Sequence, residues 1–82
     1  MKTLLNAVSA ASATSATFLA KAGQSVNVSI STTGTVSLQY NNNDVWIELQ
    51  SITANARYDV PANMKIRCVV TANAGSISAT LV

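Results

Sequence analysis

Ser25-Val26-Asn27-Val28-Ser29-Ile30-Ser31 alternates apolar and polar residues without a break. Side chains on a strand point to opposite faces in turn, so Val26, Val28 and Ile30 share one face and the polar residues share the other. This is the pattern of a strand with one face in a core and one in water. The same period of two recurs on both sides of it. Thr35 to Tyr40 repeats it, as does Met64 to Val70 with Cys68 on the inner face, and Ser76 to Leu81 closes the chain in the same way. Val45, Ile47 and Leu49 alternate with Trp46, Glu48 and Gln50, and are expected to face inward. Arg57 to Val60 is a shorter segment that stops at Pro61. In the first third, Thr3 to Val8 and Ala16 to Lys21 read as strands joined by the Ser/Ala/Thr-rich stretch 9–15. Ser, Thr and Asn disfavour the competing helix over Leu4 to Ala13.

The breaks carry turn chemistry: Ala22-Gly23-Gln24, Thr32-Thr33-Gly34, Asn41-Asn42-Asn43-Asp44, Thr53-Ala54-Asn55, Pro61-Ala62-Asn63 and Ala72-Asn73-Ala74-Gly75. Asn41 to Asp44 reads as a hairpin tip, because Asn and Asp tolerate the left-handed region. Gly34 reads as the positive-φ residue of a second hairpin, between the strands before and after it. Thr-Ala-Asn-Ala occurs at 53–56 and again at 71–74, and reads as two similar turns. The expected fold is all-β: one antiparallel β-sandwich or jelly-roll-like barrel of seven or eight short strands, spanning 1–82 as a single domain.

The composition limits the chemistry. A chain of 82 residues supports one small core, and chains of that size commonly gain stability from disulfides, a metal or association. One cysteine and no histidine exclude an internal disulfide and argue against a structural zinc site. Without histidine there is no imidazole base. The only acids are Asp44, Glu48 and Asp59. Asp44 and Glu48 stand about 13 Å apart on a strand, too far for a paired-carboxylate site. Glu48 and Asp59 could meet across strands, with surface pairing to Lys or Arg as their expected use. Cys68, between Ile66 and Val70, reads as a small buried hydrophobe. The oxygens of Asn41 to Asp44 include one carboxylate, too little for calcium. The chain is therefore expected not to be an enzyme, with no catalytic residue, no cofactor and no metal site.

Charged residues make up 10% of the chain, against about 25% in an average domain, and the net charge is +2. The five cations, Lys2, Lys21, Arg57, Lys65 and Arg67, are scattered along it, which suits nucleic-acid binding badly. A polar surface with few charges suits dense packing of many copies, because little charge is desolvated. No apolar run reaches membrane-spanning length, so no membrane partner is expected. Met1 to Leu5 resembles the start of a secretory signal and Ala11-Ser12-Ala13 a cleavage site, but Asn6 and Ser9 interrupt the apolar stretch and the segment is expected to belong to the domain.

Gly34 to Trp46 forms a pattern of strand, Asn/Asp turn and a Trp opening the next strand. Tyr58-Asp59-Val60-Pro61, the strand Lys65 to Val70 and a final small-residue strand follow, and Leu4 to Ala10 opens the chain compatibly. Together these features resemble short β-sandwich virion proteins of tailed bacteriophages, among them capsid decoration or cement proteins. The resemblance implies a structural protein made in the host cytoplasm and placed on the outer surface of a phage head. There it would bind the major capsid protein and clamp neighbouring capsomers, commonly as a trimer or dimer. Candidate contact residues come from the chain itself. Leu4 and Leu5 lie in a segment that could add a strand to a neighbour. Asn42, Asp44 and the out-of-phase Trp46 lie at the hairpin tip. Lys65 and Arg67 share an outward face that could meet an acidic surface. A tail or fibre subunit, or a carbohydrate-binding module that uses Trp46 and Tyr40, is the competing expectation.

Overall fold

The computed structural model describes residues 2–82 and is all-β. Nine strands are present among the described residues: β1 (Lys2–Val8), β2 (Ala13–Thr14), β3 (Phe18–Leu19), β4 (Ser25–Ile30), β5 (Thr35–Asn42), β6 (Val45–Ile52), β7 (Ala56–Asp59), β8 (Lys65–Thr71) and β9 (Ile77–Leu81). They form two antiparallel sheets. One has the order β1-β9-β4-β7; the other runs β2-β8-β5-β6, with β3 also paired to β8.

This order has a simple origin. β2 and β3 pair with successive parts of the same strand, so they act as one interrupted strand. The chain then pairs first with last (β1–β9), second with second-last (β2/β3–β8), third with third-last (β4–β7) and the two middle strands with each other (β5–β6). A single long hairpin has been rolled up, and the pairs β4–β9 and β5–β8 close the two sheets. That is jelly-roll topology. Its apex is the two-residue turn Asn43-Asp44, with φ of 52° and 63° at the two positions, the type I′ geometry that matches strand twist. Asn41 Oδ1 accepts from the Asp44 N–H at 3.1 Å.

The expected strands at 3–8, 25–30, 35–40, 57–60, 64–70 and 76–81 are all present within a residue or two. Three expectations are corrected. β4 and β5 do not form a hairpin: they lie in different sheets, and Gly34 is a corner between them. A Cβ there would approach Ile77 Cδ1 to 2.7 Å and Asn73 Cα to 3.3 Å, at a φ of +156° that L side chains rarely adopt. The expected strand over Ala16 to Lys21 shrinks to Phe18–Leu19 because the ladder breaks at Ser15. There the hydroxyl, not the main chain, accepts the Cys68 N–H at 2.9 Å, while the Ser15 N–H donates to the Cys68 carbonyl at 2.8 Å. Finally, Val45 and Ile47 are not buried; they are 58% and 37% exposed, since β6 is an edge strand that overhangs the core.

The core is built from the alternating residues of both sheets. Val26, Val28, Ile30, Ile77, Ala79 and Leu81 meet Val36, Leu38, Ile66, Cys68 and Val70, with Phe18 and Ile52 at its margins. Every buried side-chain polar atom among the described residues has a partner. The chief clamp is Asn73. Its Nδ2 donates to the carbonyls of Val8 and Ala10 at 2.8 and 3.0 Å, and its Oδ1 accepts from the Gly75 N–H at 3.0 Å. The echoing Asn55 plays a smaller version of the part, accepting the Ile30 N–H at 2.8 Å. Both Thr-Ala-Asn-Ala segments lie where the chain crosses from the β8-containing sheet to the β9-containing sheet.

Candidate functional site

The outer face of the larger sheet gathers three of the side chains singled out in the sequence, Trp46, Lys65 and Arg67. Alternation sends Thr35, Ser37, Gln39 and Asn41 of β5 outward, because Val36 and Leu38 point into the core. In β8 the same rule puts Lys65, Arg67 and Val69 outside and Ile66, Cys68 and Val70 inside. Register then decides the neighbours. Gln39 stands between Arg67 on β8 and Glu48 on β6, and Trp46 stands opposite Asn41.

A continuous polar chain results. The Arg67 guanidinium lies 4.2 Å from the centroid of the Trp46 ring, within cation–π range. Arg67 Nε donates to Gln39 Oε1 at 2.8 Å, Gln39 Nε2 donates to Ser37 Oγ at 3.4 Å, and Ser37 Oγ donates to Glu48 Oε1 at 2.7 Å. Each donor has an acceptor, and the direction of donation runs one way from the cation to the carboxylate. Five side chains on three strands are thus held as one sheet-surface network. Trp46, Arg67, Ser37 and Gln39 are half-buried by it, and Glu48 is exposed. Among the described residues no pocket opens into this face or any other, and no cluster of His, Cys, Asp or Glu could hold a metal.

The remaining candidates are distributed. Asn42 and Asp44 are exposed at the hairpin tip, continuous with Trp46. Lys65 is exposed on the outward face beside Arg67, across from Leu19 of β3. Leu4 and Leu5 are turned toward the core of their own chain rather than displayed on an open face. Register shifts between Thr3 and Leu5 and between Leu5 and Val8 kink β1, so that Leu5, 4% exposed, enters the core and Leu4 packs beside it. The segment pairs with β9 of its own chain; Met1 lies outside the described residues.

The acids sit apart. Glu48 and Asp59 occupy different sheets and do not meet across strands. Hydroxyls are their nearer partners: Asp59 Oδ1 accepts from Ser25 Oγ at 2.6 Å, whereas Arg57 Nε stands 4.0 Å from the same oxygen with both side chains exposed, a contact worth little. The Cys68 thiol is fully buried, and that burial pushes its pKa from 9.0 up to about 11, offset in part by hydrogen bonding with Ser15. Full burial among Ile66, Val70 and the rest of the core makes the Cys68 side chain part of the packing.

The sequence reading named Trp46 and Arg67 separately and missed their union. It also missed Ser37, Gln39 and Glu48 as its connectors, because only the register of three strands brings them together. No helix among the described residues is long and apolar enough to cross a membrane. Compared with protein-family models, with curated proteins and with solved structures, the chain finds no match.

Proposed function

We propose that the chain is a structural virion protein of the capsid decoration type, which docks on the outer surface of a phage head and binds the major capsid protein. The observation that carries this reading is the outer face of the β2/β3-β8-β5-β6 sheet. It offers hydroxyl and amide groups in a fixed array, with Arg67 and Glu48 tied to each other through Gln39 and Ser37 and Lys65 left as its one exposed cation among the described residues. A surface of that kind loses little on desolvation and contributes modest, repeatable contacts. Summed over a shell, such contacts act through effective concentration rather than through one strong site. Jelly rolls serve in viral capsid domains, which supports the reading by analogy of fold alone.

The fold is also used by lectins, so a glycan-binding module is the natural rival. Arg67 counts against it. Its guanidinium covers the Trp46 ring at 4.2 Å, occupying a face on which a sugar would stack.

Co-sedimentation tests the proposal. The protein is mixed with assembled heads, and separately with unassembled capsid subunits, of the virus that encodes it. Binding to heads in near-stoichiometric amounts, with none to free subunits, is expected. Replacing Trp46 and Arg67 with Ala should weaken it about tenfold or more, as for an aromatic/Arg contact. A protein that ignores heads yet is retained on a glycan column would reject the decoration reading in favour of its rival.

A further inference from the structure

The four sheet edges are not alike. β1 is kinked by two register shifts, and its Ala7 N–H is taken by Ser78 Oγ at 3.0 Å. β7 has four residues and carries the exposed Arg57 and Asp59. The β2/β3 edge is broken at Ser15. All three are blunted in the ways edge strands usually are. β6 differs: it has eight residues, pairs regularly from Val45 to Glu48, and exposes Val45 and Ile47.

Its free backbone groups can be identified. In a two-residue type I′ hairpin the residues flanking the turn, Asn42 and Val45, exchange both backbone hydrogen bonds. Such pairs alternate along an antiparallel ladder. Tyr40 and Ile47 are then the next hydrogen-bonded pair, and Trp46 and Glu48 direct their N–H and C=O groups away from β5, outward from the sheet. The extra residue at Leu49 ends this regular stretch.

We infer that β6 pairs antiparallel with β6 of a second copy of this chain, about a two-fold axis at Ile47, joining two sheets into one. Three two-fold registers satisfy the free groups of Trp46 and Glu48. Centred on Trp46, the pairing brings the carboxylate of Asp44, in the turn, toward Glu48 of the second copy. Centred on Glu48, it sets two carboxylates face to face. Like charges directly opposite destabilise a sheet. Only the register centred on Ile47 is complementary. It places Glu48 opposite Trp46 of the second copy, whose ring carries the Arg67 guanidinium at 4.2 Å. It also stacks Ile47 on its own symmetry mate and Val45 on Leu49, covering the two exposed apolar residues of the strand. The interface is self-complementary, as a two-fold contact must be. It is small, so the dimer forms at high local concentration, which a shell surface would supply. The inference stands on the edge geometry and does not depend on the virion reading.

Sedimentation equilibrium from about 1 μM to about 1 mM, the range in which small interfaces act, tests it. A monomer–dimer equilibrium is expected, with backbone hydrogen exchange at Trp46 and Glu48 slowing as the dimer fills. The variant E48P removes an N–H that the isolated chain does not use, and should stay folded while dimerising at least about tenfold more weakly. A monomer throughout, a trimer, a dimer whose Trp46 and Glu48 amides exchange no more slowly, or a folded E48P that dimerises normally would overturn the inference. Should E48P fail to fold, the exchange measurement on the unaltered chain decides alone.

Discussion

Small polar side chains hold this domain together at points where the main chain cannot. Asn73 satisfies the carbonyls of Val8, at the end of β1, and of Ala10, in the connection that follows, and one N–H of its own turn, all from a position 8% exposed. Asn73→Ala leaves those groups unpaired and should cost roughly 2–4 kcal/mol, read from urea denaturation midpoints at unchanged slope. Cys68 sets a different dependence. Its pKa in the fold is about 11 against 9.0 ordinarily. Between those values the unfolded chain loses the thiol proton and the folded chain keeps it. Stability is therefore full below pH 9 and falls as pH rises toward 11, by on the order of 2–3 kcal/mol. Cys68→Ala should flatten that alkaline slope while losing some packing; a slope unchanged in the variant would show that the thiol does not carry it. Neither effect could be read from residue identity. Ala72-Asn73-Ala74-Gly75 announces a turn, but nothing in it says which carbonyls from the far end of the chain will come within reach of the amide.

At the scale of elements, period two located most of the strands, and the exceptions have physical causes. Ser15 substitutes its hydroxyl for a backbone acceptor and splits one strand into β2 and β3. β6 keeps the apolar alternation of a buried strand although it overhangs the core, since alternation reports the face of a sheet and not what covers that face. Gly34 was legible as a position of special backbone but not as a corner, because a hairpin and a sheet-to-sheet crossing need the same residue type in a short polar link. The two uses differ in consequence. A hairpin glycine is constrained by φ alone, whereas a Cβ at Gly34 would also press on Ile77, fully buried, and on the Asn73 backbone. Gly34→Ala should destabilise by roughly 1–3 kcal/mol, and trimming Ile77 to Val should recover part of that loss in a double-mutant cycle of thermal unfolding. Strict additivity of the two would contradict the packing argument.

For the whole molecule, the sequence supports an all-β sandwich or jelly roll and leaves the two undecided. What selects between them is strand order, and strand order is non-local: the first strand pairs with the last and the Asn43-Asp44 turn sits at the middle of a rolled hairpin. The outer-face network is legible only to the same degree. Trp46 stands out because it breaks phase, and Arg67 because charge is scarce, but their meeting depends on register across β6, β5 and β8. A core of this size is small for a free-standing domain, and a sparsely charged surface with one unblunted edge gives the fold two places to gain stability from neighbours. The decoration reading makes the most direct demand at this scale. Purified virions of the source virus, analysed by quantitative mass spectrometry, should contain the chain in numbers comparable with the major shell subunit; a count of a few copies per particle, or none, would contradict it.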